Sequence, residues 1–183
     1  QDLPYAFMVQ GFVEGTVSDF SAKQLHIGYG RSTQFVGEVR ATGLPNIDST
    51  RFSIVANKLV TNPYDIAHTR IPPYAEENYV QLPAFMQKIT FCKYQGVVEG
   101  EWNNFSTQGT LLTNVGNVDV DASLRQGEIN NCYGTIGLDE VDISTFIEDS
   151  PILGKASGTI NVEGAFNADS LIRADIDGQI QSL

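Results

Sequence analysis

Apolar and polar residues alternate along this chain with a period of two. In GNVDVDASLRQG, Val118, Val120, Ala122 and Leu124 share one side of an extended backbone, and Asn117, Asp119, Asp121, Ser123 and Arg125 share the other. In SLIRADIDGQI, Ile172, Ala174, Ile176 and Ile180 oppose Arg173, Asp175, Asp177 and Gln179. Phe35, Gly37, Val39 and Ala41 repeat the arrangement, as do Phe52, Ile54 and Ala56. Successive side chains of a strand point to opposite faces, so this period predicts antiparallel strands with one buried and one wet face. A doubly wound α/β sheet is excluded, because its central strands are apolar on both sides. Gly, Asn, Asp and Ser punctuate the runs at hairpin intervals.

Two stretches break the pattern. In NPYDIAHTRIPPYAEEN, Pro63, Pro72 and Pro73 forbid a continuous strand. In LDEVDISTFIEDSP, Val141, Phe146 and Ile147 line one side of a short helical turn ending before Pro151. Both read as excursions at the rim of a sheet, not as linkers, so residues 1–183 are expected to form a single domain.

An internal repeat runs beneath the alternation. Gly11, Val13, Glu14, Gly15, Phe20 and Ser21 recur at Gly96, Val98, Glu99, Gly100, Phe105 and Ser106, each pair 85 residues apart. Gly30 answers Gly116 one residue out of step, as a loop insertion produces. A third partial copy lies in GTINVEGAFN, at Val162, Glu163 and Gly164. Repeat units at about 11–90, 96–155 and 156–183 are expected, each a hairpin unit leaning on the next. The glycines of the three VEG elements are expected to mark bulges or bends.

Composition narrows the function classes. The formal net charge of −11 argues against nucleic acid and anionic membrane surfaces as electrostatic partners. No apolar run approaches the roughly 20 residues of a membrane-spanning helix. The opening QDLPYAF has neither Met nor a leader pattern, so the chain reads as a processed product or an excised piece of something larger. Cys92 and Cys132 are too few for a disulfide scaffold and lack metal-site spacing. A bond between them in an oxidising compartment and two independent half-buried thiols both stay open.

Candidate chemistry is sparse. His26 lies between Leu25 and Ile27, which point the other way, so it should face solvent; His68 sits in the Pro-rich excursion. Neither has partners at the spacing of a triad or a zinc site. Asp119 with Asp121, and Asp175 with Asp177, share a strand face and so suit a hard cation or a sugar, but a solvated sheet face needs the same acids. Tyr94 and Trp102 suit a sugar platform, though strand aromatics mostly pack. The expectation is a protein without enzymatic activity, cofactor or metal; an extracytoplasmic β-sandwich module binding glycan or protein is the alternative.

FSIVANKLVTNPYDIAHTR, from Phe52 to Arg70, resembles the element of Bacteroidetes members of the TamB family (translocation and assembly module, AsmA-like superfamily) in which a strand leads into Thr-Asn and then Asp-Ile. The apolar-Pro run Leu82 to Met86 fits the family's next element, and Gly96, Gly100, Phe105, Gly109, Thr113 and Gly116 fit its hairpin. YGTIGLDEVDISTFIEDSPILGKASGTINVEG looks like its recurring unit of strand, excursion, Leu-Gly and strand. The resemblance extends from about Phe12 to the end and rests on a degenerate repeat vocabulary.

What it implies is an all-β fold: an elongated, strongly curved, mostly antiparallel sheet, a β-taco or open trough with short helical excursions. It also implies a periplasmic parent protein, anchored by a helix outside this chain, which engages an outer-membrane barrel of the BamA/TamA type. Such proteins assist outer-membrane assembly and carry phospholipid between membranes. Combined with the alternation, this makes Val118, Val120, Leu124, Ile160, Val162, Ile172, Ile176 and Ile180 the residues expected to face acyl chains.

Overall fold

Short turns join most of the consecutive strands, two longer excursions join the others, and ten strands lie side by side. The computed structural model describes residues 7–70, 78–82, 84–145, 154–167 and 171–182. The strands are β1 (Phe7–Thr16), β2 (Asp19–Tyr29), β3 (Thr33–Thr42), β4 (Arg51–Thr61), β5 (Cys92–Glu101), β6 (Asn104–Thr113), β7 (Gly116–Arg125), β8 (Asn130–Asp142), β9 (Lys155–Phe166) and β10 (Leu171–Ser182). They pair in sequence order, each pair antiparallel, in one sheet that does not close into a barrel. The fold is therefore all-β, a single open sheet and not two facing sheets. Among the described residues no helix is long and apolar enough to cross a membrane.

Substantial contacts between elements run only between sequence neighbours, so no second layer covers either face among the described residues. The exposed surface reflects this. A 20.0 kDa chain folded as a globule exposes about 8,700 Å²; this one exposes 12319 Å². The buried apolar residues are few and mostly small: Ala22, Leu25, Ala41 and Ala56 within the sheet, and Ile89, Cys92, Val141 and Ala156 towards the end that carries the excursions.

The repeat acquires a meaning in the pairing register. The VEG elements fall on β1, β5 and β9, four strands apart. Tracing partners across the ladders places Val13, Val98 and Val162 on one row, and Gly15, Gly100 and Gly164 on the row beside it. Gly15 and Gly100 stand one residue before their strands end, with φ of 106° and 141°, ahead of two-residue turns. Each is a paired ladder residue, opposite Phe20 or Phe105, with no register shift at it, so neither is the bulge expected; the positive φ lies just ahead of the turn. Gly164 occupies a regular ladder position, and a Cβ there would lie 2.9 Å from Cys132 Sγ. The register shifts lie elsewhere, at Gln10/Phe12, Ala22/Leu25, Val36/Gly37, Ala56/Leu59, Leu138/Val141, Leu171/Arg173 and Ile180/Ser182. Within them Gln24 and Glu140 take φ of 49°. Extra residues of this kind bend a strand and sharpen its twist.

Both excursions leave from the same end of the sheet, after β4 and after β8. The first begins with helix α1 (Pro63–Ala67), capped by Asn62, whose side chain accepts from the Asp65 N–H at 2.9 Å. Pro63 at its start supplies a preset φ. The second begins later than the sequence suggests. Val141 belongs to β8, opposite Ala156, because the ladder continues past the shift; only Ile143–Thr145 form a 3₁₀ turn. Phe146 and Ile147, like Pro72 and Pro73, lie outside the described residues.

Candidate functional site

Because side chains alternate and the ladders stay in register, apolar residues accumulate on one face as continuous rows. One crosses all ten strands: Val9, Ile27, Phe35, Leu59, Tyr94, Leu111, Val118, Leu138, Gly158 and Ile180 are successive partners. A second row holds Leu25, Gly37, Ala56, Gly96, Gly109, Val120, Ile136, Ile160 and Gly178. A third includes Ile54, Val98, Ala122, Val162 and Ile176, and a fourth Phe52, Gly100, Phe105, Leu124, Cys132 and Ala174.

Seven of the eight residues singled out from sequence, Val118, Val120, Leu124, Ile160, Val162, Ile176 and Ile180, lie on these rows. Ile172 falls in a register irregularity between Leu171 and Arg173, so the rows do not place it. The residues on β7 and β9 are half-buried, whereas Ile172, Ile176 and Ile180 on β10 are 50%, 70% and 49% exposed. Sequence reasoning passed over Leu111, Ile136 and Leu138. Leu111 is followed by Leu112, which hides its parity, and Leu138 precedes the shift that breaks the period.

The glycines in the second row shape the face. A Cβ on Gly37 would lie 2.8 Å from Phe35 Cζ, and one on Gly109 would lie 2.8 Å from Tyr94 Cε2. The Phe35 ring therefore folds along its own strand, and the Tyr94 side chain lies against Gly96 of its own strand and Gly109 of β6, each in space that glycine leaves. The Tyr94 hydroxyl, carried inward, lies 2.7 Å from Thr107 Oγ1 and 3.2 Å from the carbonyl oxygens of Val97 and Gln108. A polar tip in an apolar setting thus keeps partners. Gly100 acts similarly in the fourth row: Phe52 and Phe105 flank it, and their ring centroids meet at 6.3 Å.

The opposite face carries the charged residues, interspersed with Val36, Val55, Val60, Val97 and Leu112, and several of its polar groups are paired with neighbours. Asp119 accepts from Thr110 Oγ1 at 2.7 Å, Asp121 from Gln108 Nε2 at 3.2 Å, and Asn161 from Thr135 Oγ1 at 2.9 Å. Ion pairs join Lys23 to Glu14 and Arg51 to Glu101, at 3.3 and 3.0 Å. Exposed pairs such as these contribute about 0–1 kcal/mol each. Asp119 and Asp175 share this face but are separated by two strands, and among the described residues no group of acids, His or Cys has metal-binding geometry. His26 is exposed on this side. Trp102 sits at the β5–β6 turn, 54% exposed, while Tyr94 belongs to the other face, so the two form no common platform.

One end of the apolar face is held by a buried carboxylate. Asp65, 1% exposed, accepts from the backbone N–H groups of Arg31, Ser32 and Thr33, each at 3.0 Å. It also accepts from Thr33 Oγ1 at 2.8 Å and Asn62 Nδ2 at 3.0 Å. Burial by itself raises its pKa, but the donors from Arg31, Ser32 and Thr33 outweigh that and hold the carboxyl below its usual range. Gly30 is required beside it: φ is 63°, and a Cβ would lie 2.5 Å from Asp65 Oδ1. Tyr29 donates to the His68 carbonyl at 3.1 Å, and Arg31 lies 3.7 Å from the Tyr64 ring centroid. The return of the first excursion into β5 is tied down by Asn114, which accepts from the Thr90 N–H at 2.7 Å and donates to the Lys88 carbonyl at 3.1 Å.

The cysteines do not meet. Cys92 lies in β5 at the excursion end, while Cys132 lies in β8 on the Gly100 row near the other end, and both thiols are free. Three strand spacings of about 4.8 Å already exceed the reach of a disulfide, about 7 Å between Cα atoms. Burial pushes the Cys92 thiol pKa up.

No family model, curated protein or solved structure matches the chain.

Proposed function

We propose that the apolar face is an open trough that shields phospholipid acyl chains, and that the chain acts without catalysis as a segment of a lipid-carrying, envelope-building protein. The observation that carries this reading is the four-row apolar face spanning the sheet with no second layer over it among the described residues. Each methylene transferred from water to such a surface contributes about 0.8 kcal/mol. Contact of this kind is non-directional, so a chain can slide along the rows without a tight site. The charge-bearing face keeps the other side of the sheet in water. The TamB-like vocabulary of the repeats supports a periplasmic setting and, for the parent protein, an outer-membrane barrel of the BamA/TamA type as partner. Both belong to the proposal.

The test is native mass spectrometry with lipid extraction on protein purified without detergent, alongside Ile160→Asp and Ile176→Asp. Co-purified phospholipid in the parent protein, lost in the variants while circular dichroism stays that of a β-sheet, is the expected result. Lipid-free protein that takes up no phospholipid from vesicles would overturn the proposal, as would variants that carry lipid unchanged.

A further inference from the structure

The repeat makes β1, β5 and β9 equivalent strands, and the equivalence extends to their surroundings on one side only. The upstream edge of β5 is occupied by β4, and that of β9 by β8. Both joints use the same register. Phe52 and Cys132 stand opposite the VEG glycine, Ile54 and Gly134 opposite the valine, and Ser53 and Tyr133 opposite the glutamate. The corresponding edge of β1 has no partner strand among the described residues.

That edge is also the least protected in the sheet. All ten residues of β1 are exposed, with Phe7 at 70%, Phe12 at 67% and Val13 at 69%. Glu14 is its single charge. The other outer strand, β10, carries Arg173, Asp175 and Asp177, the charges with which natural sheets guard an edge. A long apolar strand with free N–H and C=O groups is a template for strand addition.

We infer that the outer edge of β1 is an acceptor site for one antiparallel strand of the β4/β8 pattern. The incoming strand places an apolar side chain opposite Gly15, a small or apolar residue opposite Val13 and an uncharged hydroxyl-bearing residue opposite Glu14. It thereby extends the apolar rows without interruption. Register and backbone hydrogen bonds give the affinity, and the alternation gives the specificity, because a one-residue slip moves every apolar side chain to the polar face. A second copy is a poorer occupant. Its β10, matched row for row, sets Asp175 against Glu14, and like charges directly opposite destabilise a strand pair. This inference is independent of the lipid reading.

The test uses the whole chain and a labelled peptide of the β8 sequence, residues 130–142 with Cys132→Val to keep an apolar side chain opposite Gly15, followed by fluorescence anisotropy. A control peptide has the same composition with the alternation displaced by one residue. In a Cys92→Ser/Cys132→Ser background, Val13→Cys or, separately, Ile176→Cys is then oxidised with the peptide carrying Gly134→Cys. Saturable binding at least tenfold tighter than that of the control is expected, with cross-linking at Val13→Cys and little at Ile176→Cys. Absence of saturable binding by the unmodified chain would overturn the inference, as would equal binding of the displaced peptide or preferential cross-linking at Ile176→Cys. Concentration-dependent dimers that exclude the peptide would also overturn it and make a second copy the occupant.

Discussion

Asp65→Ala removes one side chain and leaves several donors without an acceptor. Three backbone N–H groups, those of Arg31, Ser32 and Thr33, turn towards the Asp65 carboxylate, and the carboxylate itself is 1% exposed. A buried donor left unpaired costs about 1–3 kcal/mol. Taking the lower figure for each, because water gains access to part of the space, the loss is about 3 kcal/mol. For a chain of 183 residues that corresponds to a fall in melting temperature of roughly 6–12 °C if unfolding is cooperative. Local opening is the alternative route, since the excursion can detach while the sheet persists. Two assays separate the routes: urea denaturation followed by circular dichroism, and amide hydrogen exchange at residues 31–33. Either the midpoint falls, or exchange at those amides accelerates by about 100-fold, the equivalent of about 3 kcal/mol. The pH dependence carries its own sign. The folded pKa of Asp65 lies below its unfolded value, so its contribution is present in full above the ordinary carboxylate range and is lost as pH falls through the folded pKa. Asp65→Asn should flatten that acid limb. A midpoint change under about 1 kcal/mol together with unchanged exchange would refute the clamp.

Gly109→Val should destabilise the sheet by about 1–3 kcal/mol, the usual cost of overpacking, because its Cβ meets the Tyr94 ring and the facing Gly96 backbone; urea midpoints check this, and an unchanged midpoint counts against the ring-over-glycine packing. Gly30→Ala, pressed against Asp65 at positive φ, should lose more stability than Gly154→Ala, whose Cβ meets nothing within 4 Å. Oxidation should leave the chain without an intramolecular disulfide, and Cys132 should alkylate before the buried Cys92, whose thiol pKa is raised; peptide mass mapping reads both outcomes.

The partition of Val118, Val120 and Leu124 from Asp119, Asp121 and Arg125 follows from the period of the chain alone, because a pleated strand has only two faces. The same rule predicts an all-β fold with hairpin turns and an exposed His26, and the structure has them. What alternation cannot carry is information about groups distant in sequence. The ties from Asp65 to residues 31–33 join segments more than 30 residues apart, and nothing local in NPYDIA announces them. Val141 reads as helical from its neighbours, yet pairing with Ala156 keeps it in a strand, since the ladder satisfies its backbone groups. Recurrence of Val-Glu-Gly reveals a repeat, but only the pairing register sets Val13, Val98 and Val162 on one row, four strands apart. Separation of Cys92 from Cys132 and the open apolar face are likewise tertiary facts. Each depends on which strand lies beside which, and that is decided by cooperative ladders across the whole sheet.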